Sequence, residues 1–371
     1  MKLRQPQQGL SLVELMIATV IGLILIGGMI TVFSGTSRSA SVNSALTEMQ
    51  ENARFALDSI VRDTRMAGFQ GCVDVNRRTA TVLATSAPTN NLSKTAVTGA
   101  LVNADNTWTP ELPTTFTPPT AAGAPVPGTH ALTVQFGSPE THRVQPMATQ
   151  TASVVLMGST PPADVGLLPG TLALISDCEV ADIFEITAAS GQTIQHDSSA
   201  NSSNQLSANY AVADTAGADK TQTRVMRFEA NIFYIGDTGR NSASGDPVYS
   251  LYRQTLPYSN APVEMVEGVA NMKIRLGFRN RSAVNADNLT YVTPTDSAAQ
   301  LAAGARVESI EVGLLLQSYD SISDQPDNRS YKLAGQILSP GSSTSDAATT
   351  HPGDRRMRLA FNTTISIRNR R

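Results

Sequence analysis

The sequence predicts an α+β protein in which one long N-terminal helix packs on a C-terminal antiparallel β-sheet domain with long polar loops. Three observations predict it. Residues 10–33, LSLVELMIATVIGLILIGGMITVF, carry a single charge, Glu14. From Val42 the apolar positions recur at helical spacing. Beyond Gly68 that period gives way to short β-type runs separated by stretches rich in Ser, Thr, Asn and Pro.

The apolar run is long enough to cross a bilayer, since about 1.5 Å of rise per residue carries it across a hydrocarbon core of roughly 30 Å. Lys2 and Arg4 precede it, and the first charge after it is Arg38. The positive-inside rule therefore puts the N-terminus in the cytoplasm and the bulk of the chain outside. A plain anchor, a secretory signal peptide and a clipped leader followed by a retained helix all fit such a run. The small residues after Phe33, SGTSRSASVN, keep the signal-peptide reading open. Glu14 narrows the choice, because a carboxylate at the bilayer centre costs on the order of 2.5–3.5 kcal/mol and needs a reason, although an interfacial Glu is tolerated. Gly22, Gly27 and Gly28 suit close helix approach in a packed core, and the Gly27-Gly28 pair equally suits a flexible point.

In the second half of the helix, Val42, Leu46, Met49, Ala53, Ala56 and Ile60 define an apolar face at spacings of three and four. Glu51, Arg54, Asp58 and Arg62 lie opposite, with Arg54/Asp58 and Asp58/Arg62 as i,i+4 pairs worth a few tenths of a kcal/mol each. Gly68 is the expected stop.

Strands are expected at His130–Phe136, Ala152–Met157, Thr171–Ser176, Arg224–Ile235, Val248–Arg253, Ala270–Phe278 and Val307–Ser318. A closing strand follows, in which Met357, Leu359, Phe361, Thr363, Ile365 and Ile367 alternate with polar residues. The arginines between Arg355 and Arg371 are expected to flank this strand as guards against edge pairing, rather than to mark an anionic partner. The stretches Thr85–Thr129, His196–Thr223 and Gln336–Gly353 are expected to be loops.

Composition limits the function classes. Across 371 residues, 28 basic and 31 acidic side chains give a net charge of −3, which does not suggest a nucleic-acid-binding domain. Charged residues are 16% of the chain, a composition that suits an extracytoplasmic β-rich protein. Cys72 and Cys178 are too few for a four-thiolate zinc site. Both lie on the oxidising side by the topology above, so a bridge is expected rather than two buried free thiols. Closing a loop of about 100 residues stabilises by up to about 4.7 kcal/mol in the chain-entropy model.

Phosphate-cradling glycine loops, a nucleophile elbow and the H-E-x-x-H zinc motif are absent from the sequence, and His130, His142, His196 and His351 read as isolated residues in polar surroundings. No catalytic residue, metal site or cofactor is expected. VNADN occurs at Val102–Asn106 and again at Val284–Asn288, and reads as turn chemistry rather than a calcium loop.

The segment GLSLVELMIA, Gly9 to Ala18, resembles the processing signal of type IV prepilins and type II secretion pseudopilins. The resemblance implies that a prepilin peptidase cuts between Gly9 and Leu10 and methylates the new amine of Leu10. Leu10 stands where the family most often has Phe. The resemblance further implies that Glu14 becomes the fifth residue of the mature chain, where it pairs with the N-terminal ammonium of a neighbouring subunit and sets axial register. The pieces Ala53–Cys72, Ser176–Thr187, VYSLYR, Pro262–Gly277 and Phe361–Arg370 resemble the PilW family of minor pilins. The helix and the ending are also similar to pseudopilin J of type II secretion, which is usually much shorter.

The implied organisation is a leader at residues 1–9, a transmembrane or filament-core segment at 10–33, an amphipathic half-helix at 34–68 and a periplasmic or extracellular domain at 69–371. The implied role is to join and prime a type IV pilus at or near its tip, supporting twitching motility, adhesion and DNA uptake. The implied partners are the prepilin peptidase, other minor pilins, the major pilin, a large tip adhesin and the inner membrane. A helix-tethered adhesin, with a ligand surface in the polar loops, is the alternative from a different class.

Overall fold

The computed structural model describes residues 11–75, 78–112, 116–211, 222–256, 261–279, 289–341 and 350–368. The chain divides into two compact units, Met1–Glu48 and Met49–Arg371, and the helix Leu12–Met66 contributes to both.

In the first unit the helix is apolar on every side through Phe33, and its Leu, Ile, Val and Met side chains are exposed. The polar hydroxyls in it stay compatible with a helix because they bond the turn before them. Thr19, Thr31 and Thr36 donate to the carbonyls of Met16, Gly28 and Val32, and Ser39, Ser41 and Thr47 repeat the pattern further up. A Cβ placed on Gly22, Gly27, Gly28 or Gly35 would meet nothing within 4 Å.

In the second unit the helix becomes amphipathic as its sequence requires. Met49, Ala53, Ala56 and Ile60 are buried in a core shared with residues of two sheets, while Glu51, Arg54, Asp58 and Arg62 face solvent. The exposed Arg54–Asp58 pair stands at 3.9 Å, whereas Arg62 turns to its neighbour Asp63 at 3.6 Å instead of to Asp58. Gly68 has φ +73°, where a side chain is strained, and its N–H passes to the carbonyl of Gln135.

The first sheet has eleven strands organised on the long strand Arg224–Asn241. That strand pairs antiparallel with Leu172–Ser176, His130–Gly137 and Pro247–Leu256, and Val97–Val102 and Ala181–Glu185 extend the sheet outward. The second sheet runs Leu289–Val292, Val269–Arg279, Val307–Ser321, Arg356–Ser366 in spatial order, all antiparallel. The chain crosses between the sheets at Gly268. Its N–H donates to Tyr249, its carbonyl accepts from Gln317, and at φ +81° a Cβ would lie 2.9 Å from the Gln317 oxygen. His130 also joins the sheets, its Nδ1 accepting from the Ile274 N–H at 3.0 Å.

Several expectations need correction. The Thr85–Thr129 stretch is not a loop throughout: it holds the helical turn Leu92–Thr95 and the strand Val97–Val102. The strand escaped notice because Thr, Gly and Ala dilute its apolar signal, yet Gly99 is needed there, since a Cβ would lie 2.5 Å from Ile274 Cδ1. Gln336–Gly341 and Thr350–Pro352 likewise pair as parallel strands within a stretch expected to be loop. The strand expected at Ala152–Met157 shrinks to Val154–Val155.

The second correction concerns charge. Arg356 and Arg358 on the closing strand are buried and do not guard an edge. Arg358 Nη2 meets Asp354 at 2.7 Å, its Nη1 meets Asp327 at 3.5 Å, and Arg356 Nε donates to Asp354 at 2.9 Å. Burial works against the Asp354 charge, but the guanidiniums of Arg358 and Arg356 and the Arg356 N–H outweigh it and hold the carboxyl below its usual range.

Candidate assembly site

Gly9 and Leu10 lie outside the described residues. Glu14 sits in the first turn of the helix and closes a reciprocal pair with Ser11: the Glu14 N–H donates to Ser11 Oγ and the Ser11 N–H donates to Glu14 Oε2, both at 3.2 Å. This is a capping box, in which a hydroxyl and a carboxylate three residues apart satisfy helix-terminal N–H groups that have no intrahelical partner. The spacing Ser-Leu-Val-Glu at Ser11–Glu14 carries that signal in the sequence, and reading Glu14 only as a charge missed it. Glu14 therefore has two separable capacities: it accepts a hydrogen bond that starts the helix, and it presents an anion near its N-terminal end.

The helix end in the second unit is held by three kinds of bond. Asp63 is buried, and its Oδ2 accepts from Asn231 Nδ2 at 2.8 Å, while Asn231 Oδ1 accepts from Thr255 Oγ1 at 2.6 Å. Burial raises the Asp63 carboxyl above its ordinary value, and the positive charges of Arg253 and Arg62 with the Asn231 bond counter part of that rise. The Gly68 and Gly137 N–H groups exchange backbone bonds between the post-helix turn and the His130–Gly137 strand. Cys72 and Cys178 form a disulfide, with Cα atoms 4.6 Å apart across 106 residues of sequence. Gly71 makes room for the approach, because a Cβ there would lie 3.0 Å from Ser176 Oγ.

Of the four histidines, His142 is half-exposed on the short strand His142–Arg143, and the other three are not in the polar surroundings the sequence suggested. His130, His196 and His351 are buried. Burial, with the Lys273 charge beside it, lowers the His130 pKa to about 3, so it stays neutral and structural. His196 packs on Phe184 and reaches the Ala152 carbonyl. His351 lines a cavity of about 800 Å³ with Tyr249, Asn271 and Gln317, but its two ring nitrogens already lie 2.9 and 2.8 Å from the carbonyls of Pro352 and Arg329. Among the described residues no group of three or more His, Cys, Asp or Glu side chains could hold a metal. The first VNADN segment is a closed turn: Asp105 Oδ1 accepts from the N–H and hydroxyl of Thr107. The second, Val284–Asn288, lies outside the described residues.

Residues 4–30 match the model of the prokaryotic N-terminal methylation motif, and residues 232–369 match that of PilW, the type IV pilus-assembly protein W family. The two matches support a PilW-type minor pilin. No curated protein and no solved structure matches the chain. The PilW match begins inside the long strand Arg224–Asn241 and takes in the whole second sheet with its closing strand. The pieces Ala53–Cys72 and Ser176–Thr187, which also resemble PilW, fall outside the matched residues.

A pilin with this motif and, among the described residues, a single apolar helix of membrane-spanning length near its N-terminus is anchored in the inner membrane and then incorporated into the pilus. The two matches point to a structural, non-enzymatic protein, and to interaction with other pilus components and with the prepilin peptidase.

Proposed function

We propose that this PilW-type minor pilin joins and helps prime assembly of the type IV pilus at or near its tip, and through the pilus supports twitching motility, adhesion and DNA uptake. The observation that carries the reading is the pair of matches at opposite ends of one chain, a methylation motif over residues 4–30 and PilW over 232–369. In this reading residues 1–9 are a leader removed by the prepilin peptidase, Leu10 is the methylated first residue, and residues 10–33 enter the filament core. Residues 34–68 form the amphipathic half-helix, and residues 69–371 stand outside the membrane.

The Glu14 carboxylate then meets the N-terminal ammonium of a neighbouring subunit, and because an unpaired charge is costly in low dielectric, axial positions that leave it unpaired are disfavoured. The partners are the other minor pilins, the major pilin and a large tip adhesin, and the role is structural with no catalytic step. Deleting the gene and counting surface pili tests the priming role, for which loss of filaments is expected. Normal filaments with lost attachment would point to a tethered adhesin. A secretion defect with normal piliation would point to a pseudopilin J-like component of type II secretion.

A further inference from the structure

The closing strand Arg356–Ser366 forms one border of the second sheet, and among the described residues no strand pairs with its outer edge. Its register against Val307–Ser321 runs without a bulge from Ser309↔Ser366 to Gln317↔Arg358. The direction of its backbone groups is fixed by named bonds. The Met357 N–H donates to Ser318 Oγ, the Ile367 N–H donates to the Glu308 carbonyl, and the Ile365 carbonyl accepts from Ser309 Oγ, so odd-numbered residues turn toward the inner neighbour. Even-numbered residues turn outward, as the Arg358 carbonyl does in accepting from the Tyr331 hydroxyl. Ala360, Asn362 and Thr364 thus aim their N–H and C=O groups out of the sheet.

Edges of this kind are ordinarily blunted by a charge, a proline, a bulge or a covering element. From Leu359 to Ser366 this one has neither charge nor proline, and the arginines that seemed to guard it, Arg356 and Arg358, are turned inward onto Asp354 and Asp327. Its two faces differ: Met357, Leu359 and Phe361 are half-buried against the core, while Asn362, Thr364 and Ser366 are exposed. Among the described residues of this segment, exposed arginines remain only at the two ends, Arg355 and Arg368.

We propose that this edge is a strand-addition site, and that its occupant is an extended segment of a different protein with an uncharged, alternating middle and acidic residues at its ends. Main-chain bonds to Ala360, Asn362 and Thr364 supply affinity, and apolar side chains continuing the row of Met357, Leu359 and Phe361 supply specificity. A second copy of this chain fits poorly. Antiparallel self-pairing about Asn362 sets the exposed Arg368 next to the exposed Arg355 of the other copy, which places like charges side by side at both ends, while Arg356, opposite Arg368, is already paired with Asp354. The inference does not depend on the pilus-priming reading.

The test uses the full-length protein in detergent micelles with the acetylated, amidated peptide Asp-Val-Thr-Val-Thr-Val-Thr-Val-Asp and a control in which Lys replaces both Asp residues. Residue-resolved amide hydrogen exchange should slow at Ala360, Asn362 and Thr364 on adding the acidic-ended peptide. The amides of Leu359, Phe361 and Thr363, already facing the inner strand, should not change. The Lys-ended peptide should bind at least about tenfold more weakly, with the difference shrinking as salt rises. Thr364→Pro removes an outward N–H without touching the inner ladder and should abolish the protection at an unchanged Tm; Ala360→Pro serves the same purpose should the first variant unfold. Unslowed exchange with both peptides, or equal affinity for the two, overturns the proposal. Protection of the three amides that grows with protein concentration in the absence of peptide overturns it in favour of a second copy.

Discussion

One helix, Leu12–Met66, passes through two environments, and its two stretches obey different rules. Up to Phe33 the large apolar side chains are exposed on every side, and from Met49 onward the apolar residues Met49, Ala53, Ala56 and Ile60 form one buried stripe. An all-round apolar helix is stable only where its surroundings are apolar too, whereas a stripe needs only the protein's own sheet. The first stretch is therefore built for contacts outside its own chain, and the second for contacts within it. Folding of the outer domain should depend on the second stretch and be indifferent to the first.

The comparison breaks if substitutions in the two stretches act alike on the outer domain. The largest effect is expected where covalent and buried bonds hold the helix end. Replacing Cys72 and Cys178 together by Ser should lower stability by up to about 4.7 kcal/mol, read from denaturant unfolding of the domain. Ile60→Ala should cost about 2–5 kcal/mol by the same measurement, because a fully buried side chain leaves a cavity. Asp63→Ala should cost about 1–3 kcal/mol, since it leaves the Asn231 amide and Thr255 chain without its acceptor. Ile24→Ala, in the exposed first stretch, should stay within about 0.5 kcal/mol. A comparable loss at Ile24 and Ile60 would end the distinction.

Acid sharpens the same contrast. Because the Asp63 carboxyl is raised, the folded chain takes up a proton there before the unfolded chain does, so its contribution to stability rises as pH falls toward the ordinary carboxylate range. Asp63→Asn should remove that slope while keeping an acceptor for Asn231. His130 acts in the opposite sense. Its pKa falls from 6.5 to about 3 on folding, so it stabilises above the higher value and that stability is lost progressively as pH falls through this window. Unfolding curves at a series of pH values for the parent, Asp63→Asn and His130→Gln separate the two.

Periodicity made the helix and the longest strands legible, because a period of three to four and a period of two survive any tertiary context that buries one face, whereas short strands such as Ala181–Glu185 and Val263–Glu267 went unread. The strand Val97–Val102 did not show itself, since Thr98, Gly99 and Ala100 interrupt its apolar run, and the close approach at Gly99 is to Ile274, which is distant in sequence. Arg356 and Arg358 were misread for a related reason. An arginine looks solvated until its carboxylate partners are known, and Asp327 is supplied by a separate segment. At the candidate assembly site Glu14 was legible as a charge out of place. Its hydrogen bond with Ser11 was equally present in the local spacing, and needed only a different question.

The central claim is that Glu14 makes the first stretch an assembly element rather than an anchor, and incorporation of Glu14 variants into sheared pili tests it most directly. Glu14→Gln keeps an acceptor for the Ser11 N–H but removes the charge, and Glu14→Ala removes both. The account predicts that both variants retain the Cys72–Cys178 disulfide and the outer domain's Tm, and that both are depleted from pili. Normal incorporation of Glu14→Gln would contradict it by assigning the residue to helix capping alone.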